Sequence, residues 1–466
     1  MTTESGITES RSRPVFGFIL LGGALTGARV REVNLINELV RRGYRCHVWW
    51  AHERDRDAGI HDSVAQRWLF HHLRFAGVAQ RFLGERWGRP VDDWLGRVIS
   101  RLGGERLRRC VRRWRPKIIT WGLVALIREI CRGVPQDRRL IQRLAREMDR
   151  SVATHVLPML EVLAPFVRAA CQQMPRPALW AVTFQGYEVY GYAARQAGLE
   201  KSFLDVLRHT TDASPLPPIT VSRWYAARVE RETGILADRF AVIPPGIPLP
   251  HRMTEGRAQH VVREALGITD FATPIVSLVG RQDSEKGIDL LLYAARHLID
   301  RGVNLQLAIV GANAFGLSYQ QTCRQIADHL GLDVIWENQV SDEVRNALMQ
   351  VSACLVCPSI HGEPFGIVAI EAMALGTPVV IPDVGGIRET VEHDDQSAGL
   401  IFACHDSGDL CDQIRRLLRE PGLRSELAAN AQALVPLYSS SVLAERTLLA
   451  LAVIPVAVES AIPKRG

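Results

Sequence analysis

The stretch Ser359–Val380, SIHGEPFGIVAIEAMALGTPVV, decides how the rest of this chain is read. It follows a short apolar run, Ala353–Cys357, and leads into another, Pro378–Ile381. Between them Ile367, Ile370, Ala374 and Leu375 recur at helical spacing. Pro364 suits a first helical turn, and Gly376 followed by Pro378 is a stop signal. The segment reads as strand, loop, helix, strand, with Glu363 where the helix begins and Glu371 within it. A helix N-terminus offers unpaired N–H groups and a partial positive charge, which favour a phosphate. Two carboxylates beside it accept hydrogen bonds from hydroxyls, such as those of a sugar or a ribose. A ligand with both features is a nucleotide-sugar. The alternative is a plain Rossmann-type strand and helix carrying two glutamates by chance, and the flanking GTPVV and a second loop weigh against it.

That second loop is GRQDSEKG, Gly280–Gly287, which follows the apolar run Pro274–Val279. EPFGIVAIEA closely resembles the E-x7-E motif of the retaining glycosyltransferases of the GT-B fold, family 4 in particular, and GRQDSEKG resembles that family's G-R-x(4)-K-G. The resemblance implies that Glu363 faces the donor sugar hydroxyls and that Glu371 binds the ribose. It also implies that backbone amides at Phe365, Gly366 and Ile367 meet the sugar and phosphates, and that Arg281 and Lys286 clamp the donor diphosphate. The match makes physical sense. Both cations leave the carboxyl end of a strand, and charge-assisted bonds to phosphate oxygens are the strong kind. They also stabilise the negative charge that develops as a diphosphate departs.

Working back towards the start, Val15–Leu21 is a buried-strand candidate. Val30, Val33, Asn34, Ile36, Asn37 and Val40 then trace a helix face, Gly43 stops it, and Arg45–Trp50 forms a second strand. This β-α-β unit has a glycine loop at its first turn but lacks the full G-x-G-x-x-G spacing of a dinucleotide site. It resembles the opening of family 4 enzymes, which implies that Gly22 and Gly23 lie near the donor phosphates; a simple tight turn is the alternative. Leu179–Phe184 reads as a strand ending in Gln185-Gly186-Tyr187-Glu188. Many family members carry a histidine near the acceptor here, and this chain has Gln185. Glutamine can hydrogen-bond a hydroxyl but cannot take a proton at neutral pH. Gln185 and Glu188 are the acceptor-side candidates.

The expected fold is α/β of the GT-B kind: two Rossmann-like, doubly wound domains facing a cleft, with a helical insertion in the first. Residues 1–13 are polar and expected to be disordered, and 14–245 form the acceptor-side domain, with the helical insertion at about 52–175. The Pro/Gly-rich run near Pro245–Pro250 is the boundary, 246–436 form the donor domain, and 437–466 supply a C-terminal helix returning to the first domain, plus a tail.

Composition sets the outer limits. At 466 residues, 47% hydrophobic and 23% charged, the chain is an ordinary soluble globular sequence with room for two or three domains. Its net charge of +6 is unevenly spread: Arg81–Arg150 holds 19 Arg/Lys against 8 Asp/Glu, so the remainder is net negative. Within that segment, arginines interleave with tryptophans and the apolar run Ile118–Ile127. Two readings stand side by side, an interfacial helix on an anionic membrane and an inserted helical subdomain with solvated arginines. Nucleic-acid binding is not expected, because no recognised motif accompanies the charge. Asp55-Arg56-Asp57 sits in a charged run and reads as a solvated loop, and adjacent His71 and His72 have no ligand spacing. Cys354 and Cys357 form a CxxC inside a buried-strand pattern, so they read as buried thiols. Arg11 and Arg13 before Val15–Leu21 superficially resemble an export signal, but the run is short and leads directly into the glycine turn.

The resemblance implies a retaining, metal-independent hexosyltransferase with no cofactor. Its donor would be a nucleotide-diphosphate-sugar and its acceptor a glycan or lipid-linked hydroxyl, in polysaccharide or glycoconjugate synthesis. The expected location is cytoplasmic, with attachment to the inner face of the membrane under the first of the two readings of the basic segment. The alternatives are a nucleotide-sugar epimerase of the same fold and a non-catalytic nucleotide-sugar-binding module. A dinucleotide-dependent oxidoreductase is disfavoured by the incomplete glycine fingerprint.

Overall fold

The structure, a computed structural model, describes residues 13–21, 27–51, 59–68, 127–128, 130–131, 138–186, 188–312, 318–393 and 396–453. Gly22 and Gly23, Asp55–Asp57, His71 and His72, and most of the basic segment lie outside these residues.

The first half is built from β1 (Val15–Leu20), α1 (Gly27–Arg41), β2 (Arg45–Trp50), β3 (Ala65–Trp68), α2 (Arg138–Arg150), β4 (His155–Pro158), α3 (Ala164–Cys171) and β5 (Leu179–Trp180). There follow β6 (Thr183–Phe184), α4 (Glu188–Gln196), α5 (Glu200–Asp212), β7 (Ile219–Thr220), α6 (Arg223–Thr233) and β8 (Ala241–Val242). One parallel sheet runs in the order β3-β2-β1-β4-β5, and a second has the order β6-β7-β8. All six residues of β1 are buried, as expected of a central parallel strand covered on both faces. Gly17 lies at its middle because a Cβ there would stand 2.2 Å from the buried Trp49 ring on β2.

Two expectations need correction. Leu179–Phe184 is not one strand: it breaks into β5 and β6, which belong to different sheets. The insertion also does not span 52–175, because β3 pairs with β2 and β4 pairs with β1 inside the main sheet.

The second half comprises α7 (Glu255–Leu266), β9 (Ile275–Val279), α8 (Ile288–Asp300), β10 (Gln306–Val310), α9 (Ser318–His329), β11 (Val334–Glu337), α10 (Asp342–Val351) and β12 (Cys354–Val356). It continues with α11 (Ile367–Ala374), β13 (Val379–Pro382), a small hairpin of β14 (Glu392–His393) and β15 (Gln396–Ser397), and β16 (Gly399–Phe402). Then come α12 (Ser407–Arg419), α13 (Pro421–Leu434) and α14 (Ser440–Ala450). Its sheet runs β11-β10-β9-β12-β13-β16, with every pairing parallel. Strand order reverses between β9 and β12, and ligands of open α/β sheets bind outside the carboxyl ends at such a reversal. The loops leaving those two strands are the ones that carry GRQDSEKG and HGEPFG.

The halves are joined at two adjacent crossings. Ile247 N–H donates to the Tyr438 carbonyl (2.9 Å), and Ser440 N–H donates to the Ile247 carbonyl (3.0 Å). Beyond the second crossing α14 packs on α1, where Arg42 donates to the carbonyl and hydroxyl of Ser441, each at 2.8 Å. Asn34 on α1 donates to the Gly246 carbonyl at 2.8 Å. Among the described residues no helix is long and apolar enough to cross a membrane.

Candidate active site

The loop after β9 turns through a short 3-10 segment, Ser284–Lys286, and closes at Gly287, whose φ of 60° is left-handed. Left-handed backbone suits glycine. Close approach demands it here, because a Cβ on Gly287 would stand 2.1 Å from the Pro358 carbonyl oxygen. The loop after β12 is docked on this turn, with Ile360 N–H donating to the Glu285 carbonyl at 3.1 Å. Sequence positions some seventy residues apart thus become one surface.

On that surface Lys286 Nζ ion-pairs with Glu363 Oε1, and Ser359 Oγ donates to the same oxygen. Burial opposes ionisation of Glu363, but the Lys286 charge and the bonds from Lys286 and Ser359 outweigh it and pull its pKa down to about 2. The carboxylate is therefore a fixed negative acceptor at neutral pH. Arg281 is held by Asp283 (2.7 Å) and Glu285 (3.1 Å) in its own loop. Burial raises the Asp283 pKa, and the Arg281 charge partly offsets it.

Glu363 precedes α11, but Pro364 does not lie in its first turn. The helix starts at Ile367, with Gly366 as N-cap at φ 115°, a conformation that favours glycine. Ile387 crowds Gly366, leaving 2.5 Å for a Cβ. Phe365 is buried edge-on against Tyr438, ring centroids 5.4 Å apart, so its side chain anchors the loop. Ile367 reaches the first half: its Cδ1 would lie 3.6 Å from a Cβ on Gly27, at the start of α1. The N-termini of α1 and α11 thus approach each other across the cleft. Glu371, on α11, accepts from Arg345 Nη2 at 3.2 Å. Burial raises its pKa, and Arg345 acts against that.

On the first-half side Gln185 is buried, and its amide nitrogen is fully committed, donating to Glu32 Oε1 and to the Met159 carbonyl, each at 2.8 Å. Its Oε1 is buried without a hydrogen-bond partner, which leaves it able only to accept. Arg31 Nη1 donates to Glu32 Oε1 at 2.5 Å, and burial raises the Glu32 pKa. Glu188 begins α4, and its side chain lies outside the described residues. The two thiols of the CxxC are buried and free, each with its pKa pushed up to about 12 by burial, and so are inert near neutrality. Among the described residues no group of three or more His, Cys, Asp and Glu could hold a metal ion.

Sequence reasoning missed Ser359, Arg345, and the buried Arg31 and Glu32. The helix face read from Val30 to Val40 left Arg31 and Glu32 out, because hydrophobic periodicity has no signal for a buried ion pair.

The state of Glu363 has a measurable consequence. Its pKa falls on folding from 4.5 to about 2, so its ionisation stabilises the fold by about 3 kcal/mol above pH 4.5, and that contribution is lost as pH falls towards 2. Denaturant unfolding of wild type and Glu363→Gln should differ by that amount at pH 6 and converge on acidification. A pH-independent difference would show that the carboxylate is not held ionised by its neighbours.

Residues 269–434 match the family model described as Glycosyl transferases group 1. A D-inositol 3-phosphate glycosyltransferase of Streptomyces bingchenggensis is 34% identical over 219 residues, 44% of this chain and 46% of that protein. The chain spans about half the length of the curated relatives it matches. Among solved structures, Anabaena HepE in complex with UDP and glucose aligns over 95% of this chain and 100% of its own, with a TM-score of 0.67 and 16% identity. The sucrose-phosphate synthase of Thermosynechococcus elongatus aligns over 94% of this chain and 98% of its own, with a TM-score of 0.68 and 19% identity. The chain therefore has the two-domain GT-B fold, and its second half is similar in sequence to the glycosyl transferases group 1.

Proposed function

We propose that this protein is a retaining, metal-independent glycosyltransferase that moves a hexose from a nucleoside-diphosphate-sugar to a hydroxyl of a glycan or lipid-linked acceptor. The observation that carries the reading is the meeting of Lys286 and Glu363 at the strand-order reversal of the second sheet. A diphosphate at the carboxyl ends of β9 and β12 would draw Arg281 and Lys286 onto its oxygens, in competition with Asp283, Glu285 and Glu363. Glu363, ionised and fixed, would accept bonds from the sugar hydroxyls, and Glu371, oriented by Arg345, from the ribose hydroxyls. The HepE structure's bound UDP and glucose support a donor of this chemistry.

In the step itself the bond from the anomeric carbon to the diphosphate oxygen breaks and one to the acceptor oxygen forms on the same face. The acceptor proton passes to the departing phosphate, whose growing charge the two cations stabilise. Gln185 cannot take that proton, which fits a reaction assisted by the leaving group. Closure of the halves would exclude water and limit donor hydrolysis. A panel of nucleotide-sugars, with acceptor-rich membrane extract, scored for nucleotide release and for the product anomer, tests this. Release with at least one donor and retention of its anomeric configuration are expected. No release with any donor would sink the transferase reading, and inversion would sink the one-face mechanism.

A further inference from the structure

The second half reaches into the first through Glu389. Its two carboxylate oxygens accept the backbone N–H groups of Arg223 (3.0 Å) and Trp224 (2.7 Å), the first two residues of α6. The third, Tyr225 N–H, is accepted by the N-cap Ser222 Oγ at 3.1 Å. The opening amides of a helix have no intrahelical partners. Here two of the three are satisfied by a carboxylate from across the cleft, a charge-assisted arrangement that the helix dipole reinforces.

The same turn holds the Glu363 loop. Gly386 N–H donates to the Glu363 carbonyl at 2.7 Å, and Ser222 Oγ donates to the Pro364 carbonyl at 2.7 Å. The approach is too close for side chains: a Cβ on Gly386 would stand 2.1 Å from the Pro364 carbonyl oxygen, and one on Gly362 would stand 2.2 Å from the Trp224 ring. The Glu389 carbonyl accepts Tyr438 OH at 2.8 Å, which connects the turn to the second crossing between the halves.

We propose that Glu389 is a positioning residue, a latch that couples docking of α6 to the placement of Glu363. The sugar-facing loop is gripped on one side by Gly386 and on the other by Ser222 and Trp224, and the Glu389 carboxylate holds the two grips together. The functional consequence rests on the donor-site reading above, while the structural one does not.

The test uses full-length Glu389→Ala and Ser222→Ala, with UDP as the binding probe and the donor found by the panel as substrate. UDP affinity should change by less than about threefold, because the diphosphate cations belong to the second half. Transfer should fall by about tenfold to a hundredfold, and the share of donor lost to water should rise. Small-angle scattering of the variants, with and without UDP, should show a larger radius of gyration than wild type. Glu389→Gln, which keeps an acceptor oxygen, should recover part of the transfer rate. If Glu389→Ala does not fold, Ser222→Ala carries the same readings. Wild-type partition between transfer and hydrolysis, with an unchanged scattering profile, would overturn the latch. Failure of the wild type to bind UDP or turn over any donor would sink the functional reading alone, since scattering still reads the latch.

Discussion

Lys286→Ala should lower turnover by about 10²–10³-fold, as loss of one preorganised charge aimed at a developing anion does elsewhere. The substitution acts in two ways that can be separated. On the proposed function it removes a cation from the departing diphosphate, and in any case it strands Glu363, whose depressed pKa depends on the Lys286 charge and bond. The pair is part-buried, so breaking it from one side should cost less than the about 3–5 kcal/mol of a fully buried pair. Pairing Lys286→Ala with Glu363→Gln should return most of the stability lost, because the glutamine is neutral and Ser359 can still bond it. It should not restore turnover. Unfolding curves and nucleotide-release rates on the two variants decide the matter. Wild-type turnover in Lys286→Ala would remove the lysine from the leaving group. Recovery of turnover in the double variant would make its role structural.

The second large effect is expected at Gly287. Gly287→Ala must hold an alanine at φ 60° and place its Cβ 2.1 Å from a backbone carbonyl oxygen, which cannot rotate away as a side chain could. Left-handed backbone alone costs about 1–2 kcal/mol, and the clash forces the Ser284–Gly287 turn off the Pro358–His361 loop. Lys286 and Glu363 ride on opposite sides of that junction. We expect a stability loss of about 2–3 kcal/mol and a fall in UDP affinity, measured by calorimetry, of about tenfold or more. Gly280→Ala is the control, since it opens the same motif and nothing lies within 4 Å of its added Cβ. Normal binding by Gly287→Ala, or equal losses in both variants, would mean that the docking of the two loops does not organise the site.

How much of this was legible in the chain depended on the range of the physics. Local chemistry was readable. Ser222 and Ser341 are of the residue type that caps helices, and each accepts the N–H three residues on. The Lys286 and Glu363 loops were singled out by their resemblance to two family motifs, and their meeting follows from strand order, which the sequence does not state. The break between β5 and β6 was invisible because LWAVTF has no glycine or proline, and periodicity cannot say which sheet a residue joins. The helix α13 was missed although Pro421 stands at its start, a signal that was available. Pro364 misled for the opposite reason. Its fixed φ suits a first turn, but Glu363 and Gly386 pair their backbones there and delay the helix to Ile367. Glu389 carries no signal in the sequence, because its partners are backbone amides in the other half.

The two crossings, tied to each other at Ile247, also set how strong any contact between the halves must be. A chain that passes twice through one point presents each half to the other at a high effective concentration, in the millimolar range for short connections. Docking is then an intramolecular event, with no loss of translational freedom each time the cleft shuts. Two hydrogen bonds to a carboxylate, too weak to hold separate proteins together, suffice to bias such a pair. On the proposed function, the same weakness would let the contact release when product leaves.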